Sequence, residues 1–212
     1  MAGFRGVYPA LITPMTAGGE LNEAALREVI EFNIQAGVHG FWVAGGTGES
    51  VLLEDEENMR IAEIASDQSR GRIENIMHVG AATTARAVKL AEHAAKSGVE
   101  AICCVPPFFY RQSDEAIVEH YKAVGAAANL PLFVYNLPQA TGVEITPEMM
   151  QKIQDGVPQL KGLKHSAVTF ANVRAFSNMG LQCLVGNAML MLPALTIGAS
   201  GCVDGPPNVA PE

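Results

Sequence analysis

Short apolar segments alternate with amphipathic segments of helical length along the whole 212-residue chain. That alternation, more than any other feature, constrains the fold, because each type of segment must bury its apolar face against the other. Strand-like runs are GVYPALIT (6–13), GFWVAG (40–45), NIMHVGA (75–81), AICCVP (101–106), LFVYNLP (132–138), LKGLKHS (160–166), CLVGNA (183–188) and GCVDG (201–205). Between them lie stretches such as 22–35, where Leu26, Val29, Ile30 and Ile34 share one side at helical spacing. Segments 54–70, 84–96 and 113–128 repeat the pattern, and Thr146-Pro147-Glu148 reads as a helix start with cap hydroxyl, proline and acid in order. The phrases AGVHGFWVAGG, SGVEAICCVPP and IGASGCVDGPP place Gly37, Gly98 and Gly198 where a left-handed residue stops a helix before a buried strand. The strands are hydrophobic almost throughout, which indicates a parallel sheet covered on both faces.

Eight strands and seven helices leave an open doubly wound sheet or a (β/α)8 TIM barrel. The first strand runs into TPMTAGGEL rather than G-x-G-x-x-G, so the dinucleotide motif is missing. Polar and glycine-rich residues gather at the strand C-terminal ends, where barrels carry their chemistry, and this favours the α/β barrel. The expectation is one domain over 1–212, shorter than the about 250 residues that barrels usually need. GCVDG ends a few residues before Glu212, so the barrel is expected to be truncated after the eighth strand. It would lack the last helix and a C-terminal helical extension, and an uncovered seam would expose apolar surface.

Composition narrows the function. With 49% hydrophobic and 17% charged residues the chain is not disordered, and its apolar runs are too short to span a bilayer. The N-terminus shows no apolar region leading to a cleavage site, so no signal peptide is expected. A net charge of -8 argues against nucleic acid as a partner. Cys103 and Cys104 are adjacent in a strand and would point to opposite faces, and Cys183 and Cys202 stand alone. Four such thiols fit buried side chains in a reducing, cytoplasmic setting, and no spacing marks a metal site.

Three strand ends carry candidate chemistry. Lys164 lies inside the apolar run GLKHS, where desolvation lowers an ammonium pKa and a neutral amine can attack a ketone. The other reading is a surface lysine, as for Lys161. Gly46, Thr47 and Gly48 in GGTGE offer backbone N–H groups and a hydroxyl to a carboxylate, or form a tight turn that needs glycine. Tyr135 can shuttle a proton or fill the core.

Together, GVYPALITP, GGTGES, HVGA, PPFFY, YNLPQATG and GLKHS resemble the N-acetylneuraminate lyase/dihydrodipicolinate synthase family of pyruvate-dependent class I aldolases. The resemblance covers nearly the whole chain and leans toward the lyase branch. It implies that Lys164 forms an imine with pyruvate or another 2-oxo acid and that Gly46, Thr47 and Gly48 hold the carboxylate. Tyr135 would relay the proton as a carbon–carbon bond breaks or forms. Gly186 and Asn187 would meet the second substrate, a sugar acid or aldehyde; Asp204, at the C-terminal end of the eighth strand, is placed by its position to touch substrate as well. No cofactor or metal is implied, and the usual assembly is a homotetramer.

Four positions depart from the family pattern. Gly46 replaces a Ser or Thr whose hydroxyl serves the relay. Phe109, followed by Tyr110, stands where a relay tyrosine reaches across a subunit interface. Pro138-Gln139-Ala140-Thr141 lacks the synthase arginine, which disfavours dihydrodipicolinate synthesis. Gly186-Asn187-Ala188-Met189 lacks the acids that hold sugar hydroxyls. Alternatives are therefore a 2-keto-3-deoxy sugar acid aldolase or dehydratase, dihydrodipicolinate synthase, and a non-catalytic relative. Strand alternation turns His165 outward against a helix, and His78 reads as a hydrogen-bonded core residue. Trp42 and the nine methionines read as core.

Overall fold

In the computed structural model, which describes residues 3–211, the strand-like runs form a closed ring of parallel strands. These are β1 (Gly6–Pro9), β2 (Gly40–Val43), β3 (Glu74–His78), β4 (Ala101–Cys104), β5 (Leu132–Asn136), β6 (Leu160–His165), β7 (Gln182–Val185) and β8 (Gly201–Asp204). Consecutive strands pair from β2 to β8, and β8 pairs back onto β1. The last seam closes through an Ala10–Trp42 bridge, with the Leu11 N–H donating to the Trp42 carbonyl at 3.0 Å. The expected (β/α)8 barrel is the fold.

Its outer layer comprises α1 (Glu23–Gln35), α2 (Asp55–Ser69), α3 (Thr84–Ser97), α4 (Asp114–Ala128), α5 (Pro138–Thr141), α6 (Pro147–Gly156), α7 (Asn172–Asn178) and α8 (Met191–Thr196). Seven of these cross from strand to strand as the sequence predicts. The eighth, α5, is a single turn that Pro138 opens between β5 and α6. After β8 the described residues hold one short 3₁₀ turn, Pro206–Asn208, whose Asn208 amide donates to the Ala10 carbonyl at 2.7 Å.

Helix ends follow the local chemistry. Gly37, Gly98 and Gly198 take φ of +86°, +87° and +105°, the left-handed values that glycine adopts without a Cβ clash. The Thr146 hydroxyl accepts from the Met149 N–H. The acidic run at 54–57 is a helix start, with Glu54 and Glu57 in a reciprocal capping box.

Strand alternation divides the core into two clusters. Tyr8, Trp42, Ile76, Cys103, Phe133, Tyr135, Leu184 and Val203 fill the barrel interior. Phe41, Val43, Met77, Ile102, Cys104, Val134, Leu163 and Cys183 face the helices. Cys103 and Cys104 thus point to opposite faces, and all four cysteines are buried and unpaired. Inside the barrel, Trp42 meets Phe133 and Tyr135 edge-on, with ring centroids 6.4 and 5.5 Å apart.

The methionine expectation needs correction. Met77, Met149 and Met150 are buried, but Met15, on the connection after β1, and Met189, in a short 3₁₀ turn before α8, are exposed. Met1 lies outside the described residues. On α8, Leu192 and Leu195 also face solvent. No described helix is long and apolar enough to cross a membrane.

Candidate active site

The site begins with a register. A one-residue irregularity between β5 and β6 sets Gly162, rather than exposed Lys161, beside Phe133. From there Leu163 pairs with Val134 and Lys164 with Tyr135, so lysine and tyrosine come to the barrel interior side by side. Gly162 is required here, since a Cβ would lie 2.1 Å from the Gln182 carbonyl oxygen.

Lys164 is 4% exposed, with Nζ 4.5 Å from the centre of the Tyr135 ring and 5.3 Å from that of Trp42. Burial lowers its pKa to about 8, against the weaker opposing influence of Cys103 and Asp204. The surface reading of Lys164 is thereby excluded, and at pH 7 about a tenth of its amine is neutral, far more than in an unperturbed lysine. Burial raises the Tyr135 phenol to about 12, with a hydrogen bond to Ser166 acting the other way. A Cβ on Gly46 would stand 3.5 Å from the Tyr135 hydroxyl, so the absent side chain at that position would have faced this oxygen.

The GGTGE segment is a chain of turns after β2 in which Gly46 and Thr47 are exposed and Gly48 is buried. Gly48 fits close against the Leu11 carbonyl, and its own carbonyl accepts from the Thr13 hydroxyl at 2.7 Å. Among the described residues, the N–H groups of Gly46, Thr47 and Gly48 donate to no backbone carbonyl. Such unspent donors suit an anion.

A cavity of about 160 Å³ opens beside Tyr135. It is walled by Gly45, Gly46, Glu49, Ser50, His78 and Thr141 together with apolar side chains. His78 is a buried, hydrogen-bonded residue as expected, its Nδ1 3.1 Å from the Ser50 hydroxyl. It also lies on the cavity wall and edge-on to Tyr135, which the sequence reading missed. Burial and the neighbouring Lys164 lower its pKa to about 4, so the imidazole is neutral. Ser50 and Ser166 were missed as well. Each left a signal: Ser50 directly follows GGTGE, and Ser166 falls two residues after Lys164, on the same side of an extended strand.

Gly186 and Asp204 adjoin the lysine. A Cβ on Gly186 would lie 3.0 Å from Lys164 Cε and would collide with Ser166 Oγ. Asp204, at the end of β8, acts on Lys164 and Tyr135 through its charge and accepts from the Gly205 N–H at 2.8 Å. Asn187 is not brought to the Tyr135 cavity. It lies on a separate groove with Ser166 and Gly186, and its Oδ1 accepts from the Met189 N–H at 3.1 Å. His165 turns outward as alternation requires. It donates from Nε2 to the Thr169 carbonyl and packs edge-on to Phe176 of α7. No three His, Cys, Asp or Glu side chains gather as a metal set among the described residues.

Residues 3–212 match the profile of the Dihydrodipicolinate synthetase family. The chain is 37% identical over 215 residues to the 4-hydroxy-tetrahydrodipicolinate synthase of Phenylobacterium zucineum, covering 99% of this chain and 71% of that one. Its fold superimposes with a TM-score of 0.94 on CdNal from Clostridium difficile in complex with mannosamine, at 30% identity and 98% and 72% coverage. YagE, a prophage protein of the dihydrodipicolinic acid synthase family from E. coli K12 in complex with pyruvate, gives 0.95 at 26% identity, with 99% and 72% coverage. With the match running through the barrel and every strand end described above, the chain belongs to the dihydrodipicolinate synthetase family.

Proposed function

We propose that this chain makes or breaks a carbon–carbon bond beside an imine that Lys164 forms with pyruvate. The family's enzymes are class I pyruvate-dependent aldolases and lyases. The observation that carries the reading here is Lys164 itself, buried, lowered to about 8 and in register with Tyr135.

The neutral amine adds to the keto carbon, and loss of water leaves a protonated imine. Its positive charge draws electrons from the neighbouring carbon, so bond cleavage yields an enamine rather than a free carbanion. Gly46, Thr47 and Gly48 hold the carboxylate with their unspent N–H groups, and the Thr47 hydroxyl adds a donor. Tyr135 moves the proton to or from the substrate oxygen. Ser166 supports it where Gly46 supplies no side chain.

Reduction with borohydride in the presence of pyruvate, followed by peptide mass spectrometry, tests this reading. The Lys164 peptide gains the mass of the reduced adduct, and Lys164→Ala gains none. A folded wild-type protein without that adduct sinks the reading.

A second reading, dehydration of a 2-keto-3-deoxy sugar acid on the same imine, draws support from Gly46, which leaves Tyr135 without the facing hydroxyl. Dihydrodipicolinate synthesis is disfavoured by Ala140, which offers no cation at the cavity wall. A non-catalytic role does not account for a lysine kept in the barrel interior at a desolvation cost. We place the protein in the cytoplasm, supported by its four unpaired thiols, and expect a homotetramer, supported by Phe109 and Tyr110 standing exposed on one loop.

A further inference from the structure

We propose that the second reactant is an uncharged aldehyde carrying an apolar substituent, aliphatic or aromatic. This rests on the imine reading above and names the partner for the same site. Two openings flank the Lys164–Tyr135 pair: the cavity beside Tyr135 is walled mainly by hydrocarbon, and the groove beyond Ser166 mixes apolar side chains with polar ones. The cavity beside Tyr135 is walled by Val51, Val105, Phe108, Leu137 and Ala140. The groove beyond Ser166 and Gly186 presents Ala167, Val168, Phe170, Val185 and Leu190.

Much of the polar capacity in these walls is already spent. In the cavity, the Ser50 hydroxyl is paired with His78. The Thr141 hydroxyl donates toward the Leu137 carbonyl at 3.1 Å and accepts from the Val143 N–H at 3.2 Å. In the groove, both His165 nitrogens are engaged, the Gln139 amide donates to the Ser166 carbonyl, and Asn187 Oδ1 closes its own turn. A polyhydroxylated substituent entering either opening gives up water for few partners, whereas an apolar one gains by leaving water.

Charge excludes a second class of reactant. No lysine or arginine lines either opening among the described residues. Glu49 stands on the cavity wall and Asp204 acts on the lysine through its charge, while Arg86, the nearest cation behind Ser50 and His78, is already paired with Asp55 at 2.5 Å. A carboxylated aldehyde therefore meets repulsion and no counter-ion.

Lys164 and pyruvate release one water to form the imine, and the methyl carbon gives up a proton to form the enamine. The enamine carbon bonds to the aldehyde carbon, and the aldehyde oxygen takes a proton through Tyr135. Water then returns to free the amine and a 4-hydroxy-2-oxo acid. Cleavage is the same path reversed.

The test uses the full chain with pyruvate and four aldehydes: isobutyraldehyde, benzaldehyde, D-erythrose and succinic semialdehyde. Borohydride trapping on Lys164 is measured in parallel. The expected result is a kcat/KM for at least one apolar aldehyde about tenfold or more above both polar ones. With the Lys164 adduct present, equal or lower values for the apolar aldehydes, zero included, overturn the substrate assignment and leave the imine reading standing. Absence of the adduct overturns both.

Discussion

Lys164 pays for its chemistry in stability. Its pKa falls from 10.5 to about 8 because burial penalises the charged form. Unfolded chains keep that proton up to about pH 10.4, so between 8 and 10.4 unfolding takes up a proton and stability rises with pH. Below about pH 8 the penalty is complete. Lys164→Met should therefore stabilise the protein at pH 7 by about 3 kcal/mol, with the difference shrinking as pH approaches 10. Urea melts of both proteins at pH 7 and 9.5 would show it, and a pH-independent difference would refute the titration. The same pKa predicts that pyruvate imine formation accelerates as pH rises through 8, which stopped-flow trapping can follow. At Tyr135, removal of the hydroxyl in Tyr135→Phe should lower kcat by about 10²–10⁴ while the borohydride adduct still forms. Gly46→Ser places a Cβ 3.5 Å from the Tyr135 hydroxyl, in ordinary van der Waals contact and without left-handed backbone. It should fold with unchanged melting temperature and alter the pH profile of kcat, a readout that mere packing would not move.

At the scale of elements, the fold depends on where strands can approach one another. Gly162 sits against the β7 backbone, and any Cβ there meets the Gln182 carbonyl oxygen and the Phe133 ring. Gly162→Ala should lower the melting temperature by several degrees or more and reduce soluble yield, since neither backbone can retreat within the ring. Gly205→Ala is the contrast, because nothing lies within 4 Å of its Cβ position and its φ is -72°. Equal melting temperatures for the two variants would contradict the packing argument. The strands and helix caps at Gly37, Gly98, Gly198 and Thr146 were legible because each depends on neighbours a few residues away. The extra turn α5 was not, because one turn of helix leaves no periodicity to read.

Across the whole molecule, apolar side chains remain in solvent at Leu192 and Leu195 on α8 and at Val209 after the last 3₁₀ turn. Exposed apolar surface promotes association, so the protein should bind a hydrophobic dye while folded. Leu192→Lys with Leu195→Lys should reduce that signal and raise solubility without changing the melting temperature by more than a few degrees. A dye signal unchanged by the pair would place the exposed surface elsewhere. By itself the sequence determined the barrel, its strands, the family and the lysine, because alternation, caps and ordered motifs are local patterns that survive without coordinates. Only the tertiary structure decided that Lys164 lies against Tyr135 and Trp42. The same holds for the placing of Ser50 and His78 on the cavity wall, and for the turning of Asn187 to a different groove. Those outcomes depend on a one-residue shift between β5 and β6 and on which loops meet at the mouth of the ring. Registers and loop encounters are set by packing between segments far apart in sequence, and no short stretch of residues encodes them.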